Sequence, residues 1–249
     1  MDRAFFASLS NVARTAIAAQ MKVGLRAENK EAVGYDPVTE ADRAAERALR
    51  RVIEETYPEH GIWGEEYGAV REKAAVQWSL DPVDGTRALV CGLPSWAVLV
   101  GLIVGGEHIA GMIDLPALDE TLIAVDGVTR SNGMAVRTSG CERLADARLA
   151  TTDPYLFADP APFDRVRKVA RLTRFGLDAL AYARVATGDL DLVIESGLKR
   201  HDYDALVAVV RGAGGVIGNW SGGSDLSEGA VVAASSQKLY EEAVGLLGE

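Results

Sequence analysis

Two carboxylates three residues apart, Asp81 and Asp84, are the residues of this chain best placed to do chemistry. They lie in the run Trp78–Thr86, directly after an apolar strand, and Pro82 and Gly85 force a turn between them. Acids at the end of a buried strand are costly unless they are paired or bind a metal. The Gly-Thr step offers backbone N–H groups at a helix start, where phosphate binds well. The run therefore predicts a divalent metal and a phosphate at one point, although the spacing alone also fits a solvated Asx turn with a helix cap.

Three further segments carry acids that could join this pair. Glu65 and Glu66 follow Gly64 upstream, Asp42 stands earlier still, and Asp202 lies far downstream. Each has an ordinary explanation when taken alone: a solvated loop for the glutamates, a helix cap for Asp42, and the N-cap of an apolar helix for Asp202. Metal-assisted hydrolysis, however, needs several hard oxygen ligands from different segments. Together the acids predict Mg²⁺-assisted hydrolysis of a phosphate ester.

The composition indicates a large core and no attraction to polyanions. The chain has 249 residues, 48% of them hydrophobic, and its 26 Lys and Arg against 36 Asp and Glu give a net charge of −10. Such a surface repels nucleic acid and anionic membranes. It would also repel an anionic substrate unless cations lie in the site. The longest apolar stretch, Ala97–Val104, is far shorter than the roughly 20 residues of a membrane span. We expect neither nucleic acid nor a membrane as a partner.

The cysteines and the first residues indicate the cellular compartment in which the protein is expected. Cys91 and Cys141 belong to no Cys-x-x-Cys or Cys/His cluster, so no disulfide framework is expected and a reducing cytosol fits. The opening residues lack a basic stretch followed by a long apolar core, so no signal peptide is predicted. The predicted location is cytoplasmic.

The pattern of residues 1–145 predicts two helices followed by a mostly antiparallel sheet. Helical spacing runs over Phe5–Val23 and Glu40–Tyr57, and Thr39 with Asp42 three residues on resembles a capping box. A short helix is expected after the Gly-Thr step. The predicted strands are Val76–Leu80, Ala97–Val104, His108–Asp114, Glu120–Val125 and Gly133–Val136. This N-terminal α+β half carries most of the candidate metal ligands.

Residues 146–249 alternate strands and helices, as in an α/β half that completes the site. The run 153–163 is predicted to be a surface loop. The predicted helices are Phe163–Leu172, Asp178–Ala186, Asp202–Arg211 and Gln237–Leu247. The predicted strands are Arg148–Thr151, Leu190–Glu195, Val216–Asn219 and Gly229–Ala234. The fold class is therefore α+β, with two halves that meet near residues 140–147.

Other familiar kinds of site are poorly supported. The glycine-rich stretch 212–215 follows a helix instead of a strand, so it indicates a turn and not a dinucleotide loop. His60, His108 and His201 share no metal-ligand spacing, and no Gly-x-Ser-x-Gly elbow accompanies them, which argues against Ser/His hydrolysis. His201 adjoins Asp202 and is expected near the acids.

Four segments that occur in a fixed order turn these separate signals into a resemblance. They are Asp36–Asp42 (DPVTEAD), Gly64–Glu66 (GEE), Trp78–Thr86 (WSLDPVDGT), and Asp202 with the glycine-rich stretch 212–215. The ordered set resembles the inositol monophosphatase family of Mg²⁺-dependent, Li⁺-sensitive phosphatases, over essentially the whole chain.

The resemblance implies a five-layered αβαβα sandwich, usually dimeric, that acts on a small phosphorylated metabolite. It implies two Mg²⁺ ions, with a weaker third ion close to Glu65. Thr86, assisted by Asp42, would orient the attacking water, and the N–H groups of Gly85 and Thr86 would hold the phosphate. The implied catalytic residues are Glu65, Thr86 and Asp42. The implied metal ligands are Glu65, Asp81, the carbonyl of Val83, Asp84 and Asp202.

Details beyond the motifs resemble the histidinol-phosphatase branch. A basic residue, Arg87, follows the Gly-Thr step, as it does in that branch and in the adenosine bisphosphate branch. The stretches 175–182 and 191–203 resemble histidinol phosphatases, in which acids at the places of Glu195 and Asp178 face the ammonium group of the substrate. We therefore expect L-histidinol phosphate as the substrate, with Glu195, Asp178 and Arg87 binding it.

Other substrates stay open at this point. Inositol 1-phosphate is the next candidate, because Glu195 could also accept hydroxyl groups, and 3′-phosphoadenosine 5′-phosphate is the third. Leu177 and His201 depart from the residues that the family usually has at these positions, which bears on the substrate and not on the metal chemistry. A non-catalytic binding protein is the rival from another class, although every metal-binding carboxylate is present.

Overall fold

The elements that carry the acids follow the predicted pattern closely. The computed structural model describes residues 2–30 and 37–249, so Asp36 of the first motif lies outside the described residues. The helices of the first half are α1 (Arg3–Val23), α2 (Glu40–Thr56) and α3 (Thr86–Val90). The strands of the first half are β1 (Ala27–Asn29), β2 (Pro37–Thr39), β3 (Gly61–Gly64), β4 (Gly68–Val70), β5 (Val76–Asp84), β6 (Ala97–Val104), β7 (Glu107–Leu115), β8 (Glu120–Val125), β9 (Val128–Ser131) and β10 (Met134–Ala135).

The second half begins its strands at residue 148. Its helices are α4 (Ala161–Val169), α5 (Ala179–Thr187), α6 (Arg200–Gly212) and α7 (Gln237–Leu247). Its strands are β11 (Arg148–Thr151), β12 (Leu172–Phe175), β13 (Leu192–Glu195), β14 (Val216–Asn219) and β15 (Val231–Ala234). The predicted boundary at 145/146 falls in the loop before β11 and stays a prediction.

The two N-terminal helices begin at side-chain caps. Asp2 accepts a hydrogen bond from the Phe5 N–H at the start of α1. Thr39 and Asp42 form the predicted capping box of α2, since the Thr39 hydroxyl accepts from the Ala41 N–H and Asp42 accepts from the Thr39 N–H. The apolar face of each helix packs into one core with the large sheet.

The large sheet brings two of the acidic segments together. Its eight strands run in the order β10-β9-β8-β7-β6-β5-β3-β4, and β3 and β5 are parallel neighbours in an otherwise antiparallel sheet. The carboxyl ends of parallel strands meet at the same edge of a sheet. The Glu65 N–H accordingly donates to the Leu80 carbonyl at 3.1 Å, which places Glu65 beside Asp81.

The smaller sheet has five strands in the order β12-β11-β13-β15-β14. Strand β11 is parallel to β12 and β13, while β15 is antiparallel to β13 and β14. The sheets are stacked with helices between and outside them. Helices α1 and α2 cover the outer face of the large sheet, α5 and α6 lie between the sheets, and α4 and α7 cover the far face. This confirms the predicted αβαβα sandwich.

The largest difference from the sequence prediction lies between residues 161 and 175. The predicted helix Phe163–Leu172 is wrong at both ends, because α4 spans Ala161–Val169 and Leu172 begins strand β12. The helix also starts inside the predicted loop 153–163. Strand β12 is a largely exposed edge strand, so it lacks the continuous apolar run that marked the other strands. Its pairing with β11, which local sequence cannot show, decides its conformation.

Candidate metal and phosphate site

Three of the predicted acids meet at one point. Asp81 and Asp84 lie near the end of β5, and Asp202 lies in the first turn of α6. One carboxylate oxygen from each lies within 4.8 Å of the others. Asp81 and Asp202 are 121 positions apart in the sequence, and helix α6 brings them together because it packs against β6 and β7.

Each of these carboxylates is held by a backbone N–H group. Asp81 accepts from Val83 N at 3.1 Å, Asp84 from Ala179 N at 2.7 Å, and Asp202 from Lys199 N at 2.6 Å. These bonds fix the rotation of each side chain. The backbone therefore preorganises the three carboxylates.

Burial and the repulsion between like charges both raise the pKa values of acids in this cluster. Burial raises the pKa of Asp81, and the charges of Glu65, Asp84 and Asp202 raise it further. Burial also raises the pKa of Asp84, with Asp178 and Asp202 adding to the effect. Closely spaced buried carboxylates repel one another unless a cation binds between them. An all-oxygen, all-anionic donor set suits a hard divalent cation such as Mg²⁺, so the residues present fit the metal that the sequence predicts.

Glu65, in the loop after β3, lies next to Asp81 but is not one of the three acids whose oxygens lie within 4.8 Å of one another. Its charge raises the pKa of Asp81, and its side chain is only 16% exposed, while that of Glu66 is 6% exposed. A solvated loop, the ordinary explanation for these glutamates, is therefore wrong. Lys30 lies 2.8 Å from Glu65 Oε1 and also contacts Glu66, so it offsets part of their charge.

Glu46 of α2 holds the loop that carries Glu65 through hydrogen bonds. The Glu46 carboxylate is fully buried and accepts from the backbone N–H groups of Glu66 and Tyr67 at 2.7 and 3.2 Å. Arg50 donates to the same carboxylate at 2.7 Å. Glu46 is not among the residues predicted from the sequence, although it lies four residues after Asp42 on the same face of the helix.

Thr86 and Asp42 lie side by side at the start of α3. The Thr86 hydroxyl lies 3.0 Å from Asp42 Oδ1 and 3.0 Å from the Val83 carbonyl oxygen, so it can donate to either. Asp42 is buried, and burial raises the pKa of its carboxyl against the lowering effect of hydrogen bonds from Thr39 and Thr86. The pairing of Thr86 with Asp42 across 44 positions brings the capping acid into the site, in addition to its role in the helix cap.

Gly85 makes the turn that separates Asp84 from α3. Its φ is +78°, in the left-handed region that favours glycine. A Cβ at this position would lie 3.0 Å from Asp178 Oδ2. Glycine is thus required for two reasons: the turn needs a positive φ, and Asp178 of the second half lies too close for a side chain. Gly85 and Thr86 thus line the same cavity as the acids.

The acids line one end of a cavity of about 500 Å³ between the two halves. Its other walls carry the predicted substrate-binding residues Arg87, Asp178 and Glu195, and also His201 and Tyr182. The site residues predicted from the sequence therefore lie in one cavity or directly behind it. Lys30 and Tyr182 were not among them, although Tyr182 ends the stretch 175–182 that resembles histidinol phosphatases.

Two further acids of the cavity, the buried Glu195 and the half-buried Asp178, protonate more readily than usual. Glu195 accepts from Thr152 N at 2.6 Å and from the Thr152 and Thr151 hydroxyls, yet burial raises its pKa to about 7. Burial raises the pKa of Asp178 to about 6, against the lowering effect of the Arg87 charge. Asp178 has a φ of +48° and a ψ of −141°, a strained conformation for a residue with a side chain, of the kind found at functional sites.

One local prediction is corrected here. Asp202 is not the N-cap of its helix, because α6 begins at Arg200 and Lys199 is the N-cap. Asp202 stands at the third helical position and accepts from the Lys199 N–H. A carboxylate at this position stabilises the helix start as a capping-box acid would. The other oxygen can then face the cavity, which an N-cap side chain turned back on its own helix could not offer.

Comparison with known proteins decides the family. The inositol monophosphatase family model matches residues 3–249. The chain belongs to the inositol monophosphatase family. Members of this family and the relatives below are phosphatases, hydrolases of phosphate monoesters that act on small phosphorylated substrates and depend on Mg²⁺.

The relatives are named for different members of this family. The bifunctional phosphatase IMPL2, chloroplastic, of Arabidopsis thaliana is 41% identical over 222 residues, which are 84% of this chain and 64% of that protein, so the chain spans less than two thirds of its length. A histidinol-phosphatase of Chlorobaculum parvum is 31% identical over 216 residues, 85% of this chain and 83% of its own. The structure of an inositol monophosphatase from Zymomonas mobilis superimposes with a TM-score of 0.86 at 37% identity, covering 98% of this chain and 96% of its own.

Proposed function

We propose that this protein is a Mg²⁺-dependent phosphomonoesterase whose favoured substrate is L-histidinol phosphate. The observation that carries the proposal is the convergence of Asp81, Asp84 and Asp202 within 4.8 Å, next to the Gly-Thr turn and to a pocket lined by two more acids. A phosphate can be held at the first point while a cationic leaving group lies at the second.

The metal ligands in this proposal are those that the family resemblance implies. Glu65, Asp81, the Val83 carbonyl, Asp84 and Asp202 would hold two Mg²⁺ ions, with a weaker third near Glu65. The ions, when bound, lower the pKa of a coordinated water and stabilise the departing oxygen. Because the backbone N–H groups already fix three of the carboxylates, the chain holds its ligands close to their binding orientation before the metal arrives.

Thr86 and Asp42 position the attacking water in this proposal. When the Thr86 hydroxyl donates to Asp42, its lone pairs can accept a hydrogen bond from a water that approaches the phosphorus. Asp42 itself is anchored by the Thr39 N–H at 2.9 Å, so Thr86 and Asp42 form a rigid unit. The N–H groups of Gly85 and Thr86 donate to the phosphate oxygens from the opposite side.

The substrate assignment rests on three other residues that line the cavity. Glu195 and Asp178 present acceptors to the leaving group, and Arg87 adds a cation beside Asp178. Two carboxyls select a substrate that carries an ammonium group close to its phosphate, as an amino-alcohol phosphate does. Inositol 1-phosphate is the alternative, since carboxylates also accept hydroxyl groups and the Zymomonas mobilis relative is an inositol monophosphatase.

The test is phosphate release with Mg²⁺ from histidinol phosphate, inositol 1-phosphate and 3′-phosphoadenosine 5′-phosphate, measured side by side. We expect the highest kcat/KM for histidinol phosphate and complete loss of turnover with a chelator. Asp81→Asn is the control: it removes a central ligand charge and should lower kcat by at least about a hundredfold while circular dichroism stays unchanged.

Each other result has a definite meaning. A higher kcat/KM for inositol 1-phosphate would replace the substrate assignment by the alternative. Turnover by Asp81→Asn close to that of the wild type would contradict the metal assignment. Release of phosphate from none of the esters would favour the non-catalytic binding protein.

Three more properties are proposed: the oligomeric state, the cellular location and the division of the chain into two halves. We propose a homodimer, a cytoplasmic location and a division at 145/146 between a half with most of the metal ligands and a half that completes the site. Size-exclusion chromatography with light scattering tests the first of these. In the described parts of the chain, no helix is long and apolar enough to cross a membrane.

A further inference from the structure

Tyr182 carries a buried hydroxyl group that no described residue binds. It lies on α5, its side chain is 2% exposed, and it lines the cavity described above. Its oxygen atom has no hydrogen-bond partner among the described residues. The other side-chain atoms in this condition, on Arg3, Ser79 and Ser95, do not line the cavity.

A second tyrosine, Tyr240, has a buried hydroxyl group that makes a hydrogen bond, and it serves as a comparison. Tyr240 of α7 is 4% exposed, and its hydroxyl donates to the Asn219 carbonyl at 2.8 Å. Buried hydroxyl groups are normally paired in this way, because an unmade hydrogen bond costs more than a made one contributes. The unpaired hydroxyl of Tyr182 therefore calls for a partner that enters the cavity.

The position of Tyr182 points to the non-phosphate part of the substrate. Asp178 immediately precedes α5, and Tyr182 lies one helical turn further along the same face. Burial raises the pKa of its phenol, and the charges of Glu195, Asp84 and Asp202 raise it further. The group thus stays protonated among acids, with its oxygen lone pairs available to a donor from the ligand.

We infer that the Tyr182 hydroxyl is a substrate-binding group that accepts a hydrogen bond from an N–H or O–H donor on the leaving group, next to Glu195. This inference rests on the proposed phosphomonoesterase function and deepens it, since it defines the class of leaving group. Glu195 supplies acceptors, and the phenol supplies one more from a different direction. Together they select an amino alcohol or a polyol over an aryl or simple alkyl leaving group.

The experiment compares Tyr182→Phe with the control Tyr240→Phe on three substrates. Histidinol phosphate and inositol 1-phosphate offer an N–H or O–H donor on the leaving group, whereas phenyl phosphate offers none. We expect Tyr182→Phe to lower kcat/KM about tenfold for a donor-bearing substrate, mainly through KM, and to leave phenyl phosphate within about twofold. The two donor-bearing substrates distinguish an ammonium from a hydroxyl donor.

Thermal unfolding without substrate supplies a readout that does not depend on activity. Removal of an unpaired buried hydroxyl should leave Tm unchanged or raise it, while Tyr240→Phe, which loses a made bond, should lower it. If Tyr182→Phe lowers Tm as the control does, the hydroxyl has a protein partner and the inference is overturned.

The failures of the two proposals are distinguishable. An unchanged ratio of kcat/KM between donor-bearing and phenyl substrates in Tyr182→Phe overturns this inference while the phosphatase proposal stands. Wild-type protein that hydrolyses none of the three esters overturns the proposed function, and the inference falls with it.

Discussion

At the scale of single residues, the site is made of acids whose roles are separated by their surroundings. Asp81, Asp84 and Asp202 each have one oxygen on a backbone N–H, which orients them toward a common point. Glu195 is as buried as Asp81 but lies among the hydroxyls of Thr151 and Thr152. In the proposed function, the same chemical group would bind cations in the cluster and select the leaving group at Glu195.

The raised pKa of Glu195 makes substrate binding depend on pH. The carboxyl must be ionised to attract an ammonium group, and burial raises its pKa to about 7. We therefore expect the KM for histidinol phosphate to fall as the pH rises through about 7. Steady-state kinetics of the wild type and Glu195→Gln across this range measure it, and the variant should show a high KM with little dependence on pH.

Phenyl phosphate is the matched substrate for this measurement, since it carries no cation for Glu195 to bind. Its KM should follow the same pH course in wild type and variant. A fall in the KM for histidinol phosphate that persists in Glu195→Gln would assign the titration to another group.

At the scale of elements, helix α2 supports the site from behind with two acids on one face. Asp42 in its first turn pairs with Thr86, and Glu46 one turn later accepts from the N–H groups of the loop that carries Glu65. The contact is tight, because a Cβ on Gly64 would lie 2.0 Å from Glu46 Oε1. The helix therefore fixes two active-site segments relative to each other.

Replacement of Glu46 by alanine should weaken Mg²⁺ binding without removing a ligand. The change leaves two backbone N–H groups and Arg50 without their acceptor, which costs about 1–3 kcal/mol of unfolding free energy. It also lets the Glu65 loop move, and loss of such a supporting group lowers metal affinity about 10- to 100-fold. The Mg²⁺ concentration at half-maximal activity and chemical denaturation measure the two effects.

Glu54→Ala is the control on the same helix. Glu54 pairs with Arg71 at the surface, with side chains 46% and 38% exposed, and such pairs contribute little. Equal Mg²⁺ dependence in both variants would mean that Glu46 does not position the metal ligands.

At the scale of the whole molecule, the two halves meet at a concentration of buried negative charge. Folding raises the pKa of Glu195 from its ordinary 4.5 to about 7 and that of Asp178 from 3.8 to about 6. Groups with a raised pKa contribute stability that is fully present below the ordinary pKa and is lost as the pH rises through the folded pKa. Acids with a lowered pKa, such as Glu120 beside Arg184, act in the opposite sense, but below about pH 5.

Mg²⁺ should therefore stabilise the fold more at about pH 8 than at about pH 5. At the lower pH protons compete for the carboxylates, whereas at the higher pH the ion relieves their repulsion and adds its binding free energy to unfolding. Scanning calorimetry with Mg²⁺ and with a chelator at both pH values measures the difference. Burial lowers the pKa of His60. Its titration is the same with Mg²⁺ and with a chelator, so it does not contribute to the difference between the two measurements.

An increase in Tm with Mg²⁺ that is the same at both pH values would show that these acids do not titrate in the folded protein. Asp81→Asn provides the internal control. It should have a higher Tm than the wild type without the ion, because one repulsive charge is removed, and a smaller response to Mg²⁺.

The sequence by itself determined the local features: the capping box of Thr39 and Asp42, the turn at Gly85, and the alternation of strands and helices around them. These follow from short-range backbone and side-chain chemistry, so a linear pattern reveals them. It also revealed the family, because the ordered motifs are specific. Strand β12 was missed because an edge strand is defined by its neighbour and not by its own residues.

Only the tertiary structure decided which acids share a cavity and which groups support them. Asp202 reaches Asp81 because α6 packs back on the large sheet, Glu46 accepts from a loop that is distant in sequence, and Tyr182 lines the same cavity. Burial, which sets the pKa of Glu195 and leaves the Tyr182 hydroxyl without a partner in the described residues, is a property of the packed layers. No spacing along the chain encodes it, since solvent is excluded only when both halves close over the site.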